Sequence, residues 1–383
     1  MVFSKRIGII ILFLFVVIMA GNKSEINAQA NLEQPKREAR TTLYSRNHKI
    51  ANENVVGIIT GSVSGTYIRI GADLADVLNS DDMRVLTIMG RGSIQNLKDI
   101  LYLRGIDIGI IQSDAMNYFI ENNIYPNVKD KIHYIAKLYN EEAHILARSD
   151  IYSIEDLQGK RVNFGKIGSG TFVTAKTVFS GLNINARVTN YDQRKALDLL
   201  KRGELAAMMF VAGKPASNLK SIPGKHNFKL LDVPYTNKLQ RTYLPSSFTD
   251  KDYPNLVPQG KEVKTVATGA VMAVYNWKND AVRFQRVKRF IERFFSQINR
   301  FADPSRHPKW KELFLTANVP GWRRYSVADN MLKKLKLQNR SQNNIGARFR
   351  AFLQTKPIHS SQLDAQQRQE LFQDFLEWSG QNN

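Results

Sequence analysis

Short apolar runs, each followed by a Gly-, Ser- or Thr-rich loop and then by apolar residues at helical spacing, open the ordered part of this chain. Val55 to Thr60 reads as a buried strand, Gly61 to Gly65 as a loop, and Thr66 to Leu78 as a helix with Tyr67, Ile70, Leu74, Val77 and Leu78 on one face. Arg84 to Met89 predicts a strand, Gly90-Arg91-Gly92 a loop, and Ser93 to Leu103 a helix built on Ile94, Leu97, Ile100 and Leu101. Ile106 to Ile111 is the third strand, and Gln112-Ser113-Asp114 opens the next helix. Strand, tight polar loop and helix in repetition give the α/β class with a parallel sheet.

The same grammar returns further on. Ile132 to Tyr139 and Ala143 to Arg148 read as two strands, and Ser153 to Asp156 has capping-box spacing for a short helix. Arg161 to Phe164 is a strand, Gly165 to Thr171 a loop, and Thr171 to about Ser180 a helix. Arg187 to Asn190, Gln193 to Arg202 and Leu205 to Val211 continue as strand, helix and strand. Lys264 to Tyr275 predicts a long apolar strand, and Ala281 to Phe301 a helix with Phe284, Val287, Ile291, Phe294 and Ile298 on one face. The remainder reads as mainly helical.

The N-terminus suggests a compartment. Lys5 and Arg6 precede an apolar run from Ile7 to Gly21, too short for a span of about 20 residues. A polar stretch then ends in Ala28-Gln29-Ala30. This is the layout of a secretory signal, with cleavage expected after Ala30 and a periplasmic mature protein. Residues 31–52 are polar and aperiodic and read as a tether. The absence of cysteine from the sequence excludes disulfides, thiolate metal sites and a cysteine nucleophile. With 383 residues and a formal charge of +21, the chain accommodates two or three domains and favours acidic partners. Export argues against nucleic acid among these. A docking surface for a partner or for an anionic membrane is one reading of the C-terminal cations, including Lys333, Lys334 and Lys336.

Four loops carry the candidate chemistry: Gly61–Tyr67, Gly90–Gln95, Gln112–Asp114 and Gly168–Thr171. Each follows a strand and opens a helix, so each lies at the carboxyl edge of the sheet, where ligands bind in open α/β folds. Helix starts present free N–H groups and about half a positive charge, which suits a carboxylate or phosphate. The candidate ligand-binding residues are Thr60, Ser62, Ser64, Gly65, Thr66, Tyr67, Arg91, Gly92, Ser93, Gln112, Ser113, Asp114, Gly168, Ser169, Gly170 and Thr171. Arg91 is the candidate for a bidentate carboxylate contact. Lys166 and Lys214 read as rim charges, and Asp81-Asp82 and Glu141-Glu142 as solvated turns. No catalytic triad, dinucleotide fingerprint or complete P-loop is present, and the six histidines lack metal-ligand spacing. Neither cofactor nor metal is expected.

At these loops the sequence resembles the TAXI-family solute receptors of TRAP transporters. Ile59 to Tyr67 is similar to that family's glycine-rich opening motif, and Gly92-Ser93-Ile94-Gln95-Asn96-Leu97 to its G-S-x-x-N-L helix start. Ile106 to Asp114 resembles its strand ending in Q-S-D, and Asp156 to Val162 followed by Gly168-Ser169-Gly170-Thr171 its D-L-x-G-K-x-V and G-S-G-T pair. Phe210 to Ala216 resembles its G-x-P loop. Ser62, Ser64 and Arg91 depart from the pattern, and 331–383 lies outside it.

The resemblance implies a two-lobed type II periplasmic-binding-protein fold with two crossover strands. The crossovers fall near Tyr139–Ala143 and Lys264–Thr268. One lobe is then 53–139 plus 266–383, with a C-terminal helical extension over 331–383, and the other is 141–263. The implied function is capture of a small anionic organic solute, a dicarboxylate or an amino acid such as glutamate, for a separate TRAP-type permease. A ligand-sensing receptor for a membrane signalling protein is the alternative. A catalytic member of the same fold fits less well with a signal peptide and no cysteine.

Overall fold

The computed structural model describes residues 42–47, 52–63, 65–279 and 281–337, with isolated positions beyond. The expected signal segment, 1–30, and Ser64 therefore lie outside the described residues. So does most of 338–383, where Phe352 packs its ring 5.7 Å from Phe375 and 5.8 Å from Trp378, centroid to centroid. The described residues before Val56 belong to a unit separate from the rest of the chain. Within the expected tether, 42–47 are helical and exposed.

From Val56 onward the chain builds a two-lobed α/β fold. Its strands are β1 (Val55–Ile59), β2 (Arg84–Ile88), β3 (Ile108–Gln112), β4 (Ile132–Ala147), β5 (Arg161–Asn163), β6 (Arg187–Thr189), β7 (Ala207–Ala212), β8 (Lys229–Leu230), β9 (Leu244–Thr249) and β10 (Glu262–Tyr275). The helices of at least seven residues are α1 (Thr66–Leu78), α2 (Ser93–Tyr102), α3 (Ala115–Glu121), α4 (Gly170–Gly181), α5 (Gln193–Lys201), α6 (Val282–Ser296) and α7 (326–337).

The strands form one sheet in the order β2-β1-β3-β10-β4-β7-β5-β6, with β8 beside β4 and β9 beside β10. β1 pairs parallel with β3, and β5 pairs parallel with both β6 and β7. β3 and β7 are buried along their whole length, as expected of strands covered on both faces. The first lobe packs α1 and α6 on the β1–β3 end through Ile70, Leu74, Val287, Phe290 and Phe294. The second lobe has its own core around Val162, Val178, Phe179 and Met209.

Two expectations change. The two strands predicted over Ile132–Tyr139 and Ala143–Arg148 are one 16-residue strand. Asn140-Glu141-Glu142 does not break it, because Glu141 and Glu142 pair with Thr268 and Ala267 of β10. β4 and β10 are the crossovers, and both run through both lobes. The helix predicted over Ala281–Phe301 stops at Ser296 and gives way to a 3-10 turn, Ile298–Ala302. Its cations are not all solvated: Arg283 and Arg286 reach the buried Asp107 at 3.9 and 3.7 Å. Asp107 Oδ2 also accepts from Gly57 N–H at 3.1 Å, tying the helix to β1.

Candidate functional site

Four helix starts face one cavity of about 150 Å³ between the lobes. Thr66 opens α1, Ser93 α2, Gly170 α4 and Gln193 α5, and all four residues line it. None of these helices carries an acidic residue in its first turn. The positive ends of α1, α2 and α4 are thus uncompensated from within, whereas α5 is capped by the carboxylate of Asp192, which accepts from Lys195 N–H at 2.9 Å. All four begin where a parallel strand ends, which is why the sheet topology brings them together.

Side chains add directional groups. Tyr67 OH donates to Glu141 Oε2 at 2.6 Å and lies 3.4 Å from Ser93 Oγ. Ser93 Oγ accepts from Gln112 N–H at 2.9 Å and donates to Gln112 Oε1 at 3.4 Å. Gln112 Nε2 is a buried donor with no acceptor among the described residues. Arg91 and Lys166 supply two exposed cations, and Lys166 stands 3.7 Å from Asp192. Burial pushes the Glu141 carboxyl up to about 8, reinforced by nearby Glu142 and Asp114, so near neutral pH it is a neutral acid. Burial, then the Glu141 charge, holds the Tyr67 phenol well above its ordinary range. The wall is therefore two cations, one acid held neutral and one acid, Asp192, held ionised by the Lys195 N–H bond.

The lobes meet across this cavity. Gln95 N–H donates to Gly168 O at 3.1 Å, and Arg69 Nη2 to Ser217 Oγ at 3.2 Å. Gly92 has φ +106°, a region that favours glycine, and a Cβ there would stand 3.4 Å from Gly170 N. A Cβ at Gly170 would overlap Gln112 Oε1 and Ser93 Oγ. Gly170 has ordinary helical geometry, so alanine should leave its own lobe folded. Gly170→Ala is accordingly expected to wedge the cleft and weaken solute binding at least tenfold, with little change in circular dichroism. Titration calorimetry checks this, and unchanged affinity would mean the lobes bind without closing to this distance.

Of the predicted residues, the structure brings Ser62, Gly65, Thr66, Tyr67, Arg91, Gly92, Ser93, Gln112, Ser169, Gly170 and Thr171 into the cavity wall. Two hydroxyls there also have structural duties: Ser169 Oγ accepts from Phe172 N–H at 3.2 Å, and Thr171 Oγ1 from Val211 N–H at 3.1 Å. Others stand apart. Thr60 is fully buried and its hydroxyl donates to Ile88 O at 2.8 Å. Ser113 bonds Thr268 and Gly269, and Asp114 accepts from Thr174 and Tyr243. Neither lines this cavity, and nor does Gly168, whose carbonyl is taken by Gln95. Lys214 is not a rim charge: it reaches Asp252 at 3.4 Å and Ser247 O at 2.6 Å. Glu141-Glu142 is not a solvated turn, since both side chains are buried.

The NMT1-like family matches residues 58–314, which take in the cavity and both crossovers. The chain belongs to the NMT1-like family. Some solved structures resemble it at low identity. The periplasmic binding protein BugD is 14% identical with a TM-score of 0.45, matching 68% of this chain and 88% of its own. The periplasmic sulfonate-binding protein SsuA from Methylobacillus flagellatus KT is 13% identical with a TM-score of 0.40, over 66% and 70%. An ABC uptake substrate-binding protein from Streptococcus pneumoniae, with bound histidine, is 14% identical with a TM-score of 0.41, over 67% and 91%.

In this NMT1-like chain, sequence reasoning missed Glu141, Asp192, Gln193, Phe210 and Val211. Asp192 and Gln193 had a legible signal: a strand end, an N-capping acid and a helix start, the design of the other loops. Phe210 and Val211 lie near the end of the strand β7, where no loop chemistry marks them. His144 is a structural residue. Its ring bonds Phe210 O and Tyr253 OH, and burial drives it down to about 3.

Proposed function

We propose that this chain is an extracytoplasmic solute-binding protein that does no chemistry of its own. It captures a small anionic organic solute, a dicarboxylate or an amino acid such as glutamate, and delivers it to a separate TRAP-type permease of the TAXI class. The observation that carries this reading is the convergence of four helix starts, three of them (α1, α2 and α4) free of acids, on one interlobe cavity that also holds Arg91, Lys166 and the orphan donor Gln112 Nε2. A buried amide N–H without an acceptor costs about 1–3 kcal/mol, and a ligand carboxylate supplies that acceptor. The proposed binding set is the cavity-lining group above, with Ser64 from the same loop. Export after cleavage at Ala30 fits the N-terminal pattern, and exposed Lys334 and Lys336 on α7 suit a weak contact with an anionic membrane surface.

A thermal-shift panel of organic acids, amino acids, neutral sugars and cations tests the class. Organic anions should raise the melting temperature and neutral sugars should not. Arg91→Ala is expected to weaken the best anion about tenfold to a hundredfold, since hydrogen bonds to charged groups contribute roughly 1.5–3 kcal/mol. It is a cleaner probe than Ser169→Ala, which also removes a helix cap worth about 1 kcal/mol. Tight binding of a neutral sugar, with Arg91→Ala without effect, would overturn the electrostatic reading.

A further inference from the structure

A second interlobe cavity, of about 260 Å³, shares no lining residue with the first. The first lobe contributes Asp114 and Asn117 at the start of α3 and Lys137 from β4. The second lobe contributes Gln240 and Arg241. Gly269 of β10 forms part of the wall, and the stem of Lys137 lies over it: a Cβ at Gly269 would stand 3.1 Å from Lys137 Cε.

Two groups in this wall are incomplete. Asp114 is 3% exposed, and its Oδ2 accepts from Thr174 Oγ1 at 2.8 Å and Tyr243 OH at 3.0 Å, whereas no hydrogen bond reaches its buried Oδ1 among the described residues; the nearby N–H groups of Asp114 and Ala115 favour the ionised carboxylate. Leaving such an acceptor unmet is costly in proportion to its charge. Lys137 is half-buried, and its ammonium makes neither a hydrogen bond nor an ion pair among the described residues. Burial weakens its hold on the proton, and Glu312, the acid that counters this, already pairs with Lys309 at 2.6 Å. Exposed Arg241 adds a second cation, and Asp114 is the one acid among the lining residues. An occupant that completes both groups needs an anionic oxygen for Lys137 and a donor for Asp114 Oδ1.

We propose that this cavity is a second ligand site, taking a small organic anion that also carries a hydroxyl or ammonium donor. Its carboxylate pairs with Lys137 and Arg241, and its donor completes Asp114. Because the walls come from both lobes, an occupant here binds according to how the lobes are set.

Malate, aspartate and succinate test this as a matched set, with hydroxyl, ammonium and neither on one four-carbon diacid. Trp322 Nε1 donates to Ser113 O at 2.9 Å, and Ser113 lines the cavity, so its fluorescence is a local reporter. The full chain, its Arg91→Ala variant and its Lys137→Met variant are titrated by fluorescence and calorimetry. The expected result is saturable binding of malate or aspartate at least tenfold tighter than succinate. That binding should survive Arg91→Ala, weaken at least tenfold in Lys137→Met, and return in Lys137→Arg. Which of malate and aspartate binds tighter identifies the donor. Equal binding of all three diacids, or binding lost in Arg91→Ala and kept in Lys137→Met, overturns the second site while leaving the first intact. No binding of any of them to a folded chain also overturns it, with water then the partner of Asp114.

Discussion

Lys309→Met is expected to destabilise the chain by about 3–5 kcal/mol, read as a lower denaturation midpoint in guanidinium. The Lys309 side chain is 2% exposed, and its ammonium sits 2.9 Å from Glu142 Oε1 and 2.6 Å from Glu312 Oε1. Glu142 is 3% exposed, and its other oxygen accepts from Lys214 N–H at 2.8 Å. Removing one partner of a buried ion pair strands the other, and that uncompensated charge is what costs about 3–5 kcal/mol. Methionine keeps the stem that packs against Gly213, where a Cβ would stand 2.9 Å from Lys309 Cγ and Cε. The loss therefore reports charge rather than volume. Lys309→Met with Glu142→Gln should recover most of it, because an amide needs no counter-ion. A double variant as unstable as the single one would show that packing, not the ion pair, dominates.

Glu141→Gln should change the pH dependence of stability. In the unfolded chain Glu141 ionises near 4.5, and in the folded chain near 8, where burial and neighbouring acids favour the proton. The folded state then binds more protons than the unfolded state between those values. Stability accordingly falls as pH rises from about 4.5 to about 8 and levels off above. Asp114, raised to about 6 by burial, contributes in the same direction but only over its lower range. Burial also raises Glu142, which acts in the same direction, so the part to assign to Glu141 is the difference between the parent and variant profiles. Each pH unit of such a window costs about 1.4 kcal/mol, so the window of about 3.5 units makes the variant at most about 5 kcal/mol more stable than the parent at pH 9. Near pH 5 the two should agree, since glutamine still accepts from the Tyr67 hydroxyl. Thermal melts from pH 5 to 9 check this. Parallel stability profiles for parent and variant would mean Glu141 ionises normally in the folded chain.

These two effects come from adjacent residues that local sequence reading misplaces. Asn140-Glu141-Glu142 looks like a polar break between apolar runs. What buries it are a tyrosine 74 positions away and a lysine 167 positions away, and no window of neighbouring residues holds either. The loops behave differently. Glycine followed by a hydroxyl residue at a helix start is written in consecutive letters, so α1 and α2 begin at Thr66 and Ser93 as expected. Which of those loop residues face inward depends on the sheet. Gln112, the last residue of β3, lines the first cavity; Ser113 turns to the other side as the pleat alternates, and Asp114 has already left the strand to cap α3, so both line the second cavity instead. The C-terminal cations show the same limit: Arg286 has a buried partner in Asp107, 179 positions earlier in the chain.

The long crossovers also set how the molecule comes apart. β10 pairs with β3 through Val274 to Ala270 and with β9 through Ala267 to Glu262, while β4 pairs with β10 and then with β7 and β8. Val266 belongs to the core of one lobe, and Ala270, Met272 and Val274 to the core of the other. Neither lobe can shed its central strands without unzipping a ladder that the other shares. Lobes strung on unpaired linkers melt one after the other; these two are stitched along the same two strands, so local fraying at the outer edges, β2 and β6, is separated from global collapse by the whole width of a common sheet.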